Sequence, residues 1–103
     1  VESLSFAQAR YVWGRVLQRL GRPDAAREQW LGLIAELAPA GEPPTDPARL
    51  TLLALARAGL GELPQAAALA GAVRASAYRH PLYLELEQRL ADGMGPSAGV
   101  VAA

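Results

Sequence analysis

Residues 13–30 read Trp-Gly-Arg-Val-Leu-Gln-Arg-Leu-Gly-Arg-Pro-Asp-Ala-Ala-Arg-Glu-Gln-Trp, and this stretch decides the fold. On its upstream side Phe6, Ala9, Trp13, Val16, Leu17 and Leu20 recur at three- and four-residue steps, the spacing of one helix face. A helix from about Ser5 to Leu20 is predicted, with Ser5 and Gln8 as a capping box and Gly21 at a left-handed helix end. On the downstream side Pro23 suits a first turn, where its missing N–H costs nothing, and Asp24 favours the positive end of the helix dipole. The second stripe is Ala26, Trp30, Leu33, Ile34 and Leu37. Gly21 and Arg22 alone separate the two stripes, so the helices fold back as an antiparallel hairpin. Trp13 and Trp30, each within an apolar stripe, are expected to be core pillars of that hairpin.

Working outward, Pro39 to Pro44 cannot continue a helix and reads as a semi-rigid connector. Asp46 as N-cap before Pro47 starts a third helix through Leu50, Leu53, Ala54 and about Ala58, closed by Gly59 and Gly61. A fourth starts near Pro64 and runs through Ala66, Leu69, Ala70 and Val73 to about Tyr78. A fifth begins at His80 and Pro81, where the histidine ring could cap backbone N–H groups. It carries Leu82, Leu86 and Leu90 on one side, with Glu85, Gln88 and Arg89 mostly elsewhere. Gly93, Gly95 and Pro96 end it, so residues 1–93 form one domain and 94–103 a flexible tail.

The pair Leu20-Gly21 with Ala26 returns as Leu60-Gly61 with Ala66, a displacement of 61 − 21 = 40 residues that marks a helical repeat. Trp13 falls opposite Leu53, Gly14 opposite Ala54, Trp30 opposite Ala70 and Leu33 opposite Val73. The run Trp13-Gly14, Leu17, Leu20-Gly21, Asp24, Ala26, Trp30 and Pro39 resembles a tetratricopeptide repeat, with Leu53-Ala54, Gly61, Ala66 and Val73 as a second, weaker copy. The resemblance implies an all-α superhelix of five antiparallel helices: two hairpins plus a C-terminal solvating helix. It also implies a concave groove, lined by the first helix of each hairpin, that holds a peptide or a partner's helix.

Composition limits the function. Ten basic and ten acidic side chains cancel, which argues against nucleic acid and anionic membrane surfaces as partners. All basic residues are Arg, with no Lys and no Asn, a bias attributed to a GC-rich, bacterial genome. Without cysteine there are no disulfides or thiolate metal sites, and the compartment stays open, with the cytoplasm preferred over the periplasm. No apolar run is long enough to span a bilayer, so no membrane insertion is expected. The start at Val1, with no signal-peptide core, suggests a domain of a larger protein. His80 has no clustered carboxylates, no Ser or Thr sits in a nucleophile turn, and Gly93–Gly99 lacks the Lys of a phosphate loop. Neither an enzyme nor a cofactor is expected.

Another polypeptide is therefore the expected partner. If the resemblance holds, Gln8, Tyr11, Arg15, Gln18 and Arg19 of the first helix and Thr51 and Leu55 of the third face the groove. Arg15 and Arg19, four apart, could clamp a carboxylate, with Tyr11 as a wall. The alternative is a structural role, in which the helices pack against a neighbouring domain or form a homodimer and the groove is filled.

Overall fold

The computed structural model of the chain describes residues 2–102, with side chains described over residues 4–92. Among the described residues it is all-helical, in the order α1 (Glu2–Arg19), α2 (Pro23–Leu37), α3 (Pro47–Gly59), α4 (Leu63–Arg74) and α5 (Pro81–Ala102).

The two turns that define the repeat have the same hydrogen bonds. After α1, Gly21 takes φ 74° and its N–H donates to the Gln18 carbonyl at 3.1 Å, while the Arg22 N–H donates to Leu17 at 2.9 Å. After α3, Gly61 takes φ 82°, its N–H donates to Ala58 at 3.0 Å, and Glu62 donates to Arg57 at 2.9 Å. This pair of bonds is the Schellman motif, which needs a residue at positive φ and so selects glycine. The repeat legible in the sequence is therefore a repeat of turn geometry. At the start of α3 the Asp46 carboxylate accepts from the Arg49 N–H at 3.0 Å, and at α5 the His80 Nδ1 accepts from the Leu82 N–H at 3.0 Å, both as expected.

Three boundaries differ from expectation. α1 begins at Glu2, which places Ser5 and Gln8 inside the helix and not at its cap. α4 stops at Arg74 instead of Tyr78, because Ser76 Oγ donates to the Val73 carbonyl at 2.6 Å and accepts from the Tyr78 N–H at 3.2 Å. A local side-chain network has taken groups the helix ladder would use. α5 continues to Ala102, past the stop expected at Gly93, so Gly93, Gly95 and Pro96 weaken the ladder without ending it. The tail expected over residues 94–103 lies outside the residues whose side chains are described.

Consecutive helices pack on one another along α1, α2, α3 and α4, α5 packs on both α3 and α4, and α1 also reaches α3. α3 thus touches every other helix, and Leu50 to Ala56 are all buried. A helix that is apolar all round is a buried helix. The largest core side chain, Trp30 of α2, is wedged between α1 and α3. A Cβ built on Gly14 would lie 2.6 Å from its ring, and one on Gly59 would lie 2.6 Å from its indole nitrogen. Tyr11 tilts against the same ring at a centroid distance of 5.6 Å. Trp30 is the pillar the sequence predicts.

Trp13 is not. It is half exposed, as are Phe6, Val12, Val16 and Leu20, whereas the buried face of α1 is Ala7, Tyr11, Gly14 and Leu17. Of the stripe assigned to the core, Leu17 alone is buried. Periodicity locates an apolar face but carries no information on whether its partner lies within the chain.

Candidate functional site

The side chains expected to line a groove separate into two groups. Tyr11, Thr51 and Leu55 are buried, and therefore are not open groove walls. Thr51 points its hydroxyl to the Pro47 carbonyl one turn back at 2.8 Å, which satisfies it inside the protein. Leu55 is enclosed because α3 is central. Gln8, Arg15 and Gln18 are partly buried, and Arg19 is exposed.

α5 brings a carboxylate to this face. The Tyr11 hydroxyl donates to Glu85, and the Arg15 Nε lies 3.4 Å from the same carboxylate. Arg15 Nη1 also donates to Gln18 Oε1 at 3.1 Å. Burial, and then the Glu85 carboxylate that holds its proton, push the Tyr11 hydroxyl far above the usual tyrosine range. The anion that Arg15 and Arg19 were expected to take from a partner is thus supplied to Arg15 by the chain itself, and Arg19 does not join it. A parallel cluster lies further along α5. Tyr83 donates to Glu87, which Arg74 pairs with at 2.6 Å; the Tyr83 bond, followed by Arg74, holds the Glu87 carboxyl below its ordinary range.

An open cleft of about 420 Å³ remains beside the Arg15 pair, lined by Arg15, Ala58, Gly61, Leu63, Arg89 and Asp92. The Arg89 Nη1 is buried there without a hydrogen-bond partner. A second cleft, of about 240 Å³, lies over Leu53 between the α2–α3 connector and α4, with Pro43, Arg57 and Leu69 in its walls. Neither gathers a nucleophile and a base. Among the described residues no group of three or more His, Asp or Glu side chains is placed to hold a metal, and no helix is long and apolar enough to cross a membrane.

The surface that stands out is on the other side of α1. Phe6, Ala9, Trp13, Val16 and Leu20 follow each other at steps of three, four, three and four, a heptad seam, and all are exposed. The 40-residue repeat shows what such a face meets elsewhere in the molecule. Val12, Trp13 and Val16 correspond to Leu52, Leu53 and Ala56 of α3. The α1 residues are 56, 51 and 38% exposed, against 0, 3 and 0% for their α3 counterparts. α3 lies under α2, whose Trp30 reaches Gly59, the counterpart of Arg19. Among the described residues, no helix covers the corresponding apolar face of α1.

Arginines border this seam. From Leu4 to Arg22 the sequence holds Arg10, Arg15, Arg19 and Arg22 and no carboxylate. Arg10 lies over the Phe6 ring at 5.7 Å and against Gly32 of α2. Arg10, Arg19 and Arg22 take part in no ion pair among the described residues. Sequence reasoning named Arg19 but not Arg10 or the outward seam. The missed signal was α3 itself: with Leu50 to Ala56 almost continuously apolar, it had to be the helix packed on every side.

Comparison with protein-family models, curated proteins and solved structures returns no match.

Proposed function

We propose that this domain is a non-catalytic polypeptide-binding module whose contact surface is the outer seam of α1. One observation carries the reading: Phe6, Val12, Trp13 and Leu20 are each more than half exposed on a single helix face. Exposed apolar patches of this kind mark interaction surfaces. The two matching glycine turns support reading the chain as two tandem tetratricopeptide-like hairpins, with α5 closing the concave side. The charged clusters support a non-catalytic role, because Tyr11, Arg15 and Glu85, like Tyr83, Arg74 and Glu87, saturate one another and tie helices together.

The test is a pair of outward substitutions, Trp13→Glu with Leu20→Glu. Helicity and thermal stability are expected to stay near wild type, and capture of a partner polypeptide by the immobilised domain to be lost. Unchanged capture would remove the seam from the binding surface. The same apolar face also suits self-association. Sedimentation decides that reading: a concentration-dependent dimer that Leu20→Glu dissociates would make the partner a second copy of the chain.

A further inference from the structure

We infer that the seam of α1 receives an acidic amphipathic α-helix from a separate polypeptide, seated on α1 as α2 is seated on α3. This deepens the proposed function and rests on it.

The occupant is a helix because the molecule contains the packed version of the same face. Leu52, Leu53 and Ala56 are the repeat counterparts of Val12, Trp13 and Val16, and they are buried on α3, which packs against α2 with Trp30 at Gly59, while Leu53 borders the cleft between the α2–α3 connector and α4. The spacing of Phe6, Ala9, Trp13, Val16 and Leu20 keeps one seam aligned along a facing helix, with the small Ala9 between two large rings as a hole for a knob. At 1.5 Å per residue the seam from Phe6 to Leu20 is about 21 Å long, room for about four helical turns. A strand would place alternate side chains on opposite faces and could not follow it.

The occupant is acidic because of the seam's borders. At 100° per residue Arg10 falls on the Phe6 and Trp13 side of the stripe and Arg19 on the Val12 side, the flanking positions from which coiled-coil charges select partners. Both lack an ion pair among the described residues, Arg22 adds a third charge at the C-terminal end, and no carboxylate occurs from Leu4 to Arg22. Arg15, on the inner side, is already met by Glu85. A second copy docked by its own seam would bring arginine borders together, a like-charge juxtaposition that disfavours it.

The test uses the 103-residue chain and two synthetic helical peptides with identical leucine heptads, one flanked by glutamates and the other by lysines. Binding is read by fluorescence anisotropy of labelled peptide at low and high salt, with vesicles of anionic phospholipid as a third probe. The glutamate peptide is expected to bind at least tenfold more tightly than the lysine peptide. Its advantage should shrink with salt and be lost in Arg19→Glu with Arg22→Glu, two exposed positions whose change circular dichroism will show to leave the fold intact. Trp13→Glu should abolish binding of the glutamate peptide. Equal binding of both peptides overturns the acidic partner and leaves the seam as a binding surface. Binding of neither, by a folded monomer, overturns the acidic partner and the proposed function together. Tighter binding to the vesicles than to the glutamate peptide makes the occupant a lipid surface, and a dimer dissociated by Leu20→Glu makes it a second copy; either result overturns the inference.

Discussion

Trp30 and Trp13 are the same side chain in opposite environments, and the difference is measurable. Trp30 fills the space that Gly14 and Gly59 leave by lacking Cβ atoms, so Trp30→Ala is expected to cost about 3 to 5 kcal/mol. Gly14→Ala, which drives a methyl into the ring, is expected to cost about 1 to 3 kcal/mol. Trp13→Ala, on the exposed seam, should stay within about 0.5 kcal/mol. Urea unfolding of the three variants checks the order, and equal costs for the two tryptophan variants would contradict it. The tyrosines give a pH test. Tyr11, Tyr78 and Tyr83 are all pushed above the ordinary tyrosine value, chiefly by burial. A raised folded value means the stabilisation is complete below the unfolded pKa of about 10 and is lost as pH rises through the folded values. Absorbance at the phenolate band should therefore titrate above pH 10 in the folded chain and near 10 in denaturant, with thermal stability falling over the same alkaline range. Tyr11→Phe should delete one of the late-titrating groups.

At the scale of elements, the helix ends fixed by a glycine turn or a capping side chain were readable, and the facing of α1 was not. Gly21, Gly61, Asp46 and His80 act through local bonds, and local bonds are written in neighbouring residues. Asp46→Ala removes the α3 cap and is expected to cost about 1 kcal/mol in chemical denaturation, with an Asn replacement restoring most of it. The facing of α1 depends on what lies across from it. Its seam and its buried face are both plausible by period, and they differ in what lies across from them among the described residues: α2 and α3 pack on α1, whose buried residues are Ala7, Tyr11, Gly14 and Leu17, and no described element covers Phe6 and Trp13. The partners of Glu85 were not legible for the same reason: Tyr11 and Arg15 lie far from it in the sequence and meet it only in the folded chain.

Over the whole molecule, α3 is the axis and α5 the element that seals it. Tyr83, Leu86 and Leu90 are buried against the α3 and α4 side, and Glu85 ties α5 back to α1. Ending the chain after His80 should abolish cooperative thermal unfolding, whereas a solvating cap that only shields a surface would leave a weakened but cooperative transition. The net charge of zero hides an uneven distribution, since the α1 seam is bordered by arginine alone between Leu4 and Arg22. The claim that this seam is where a partner docks is tested most directly by the indole N–H resonances, one for each of the two tryptophans. On titration with a glutamate-flanked helical peptide, the Trp13 signal is predicted to shift to saturation while the Trp30 signal stays in place. A Trp13 signal that does not move, or a response confined to the Arg15 and Arg89 cleft, would contradict the account.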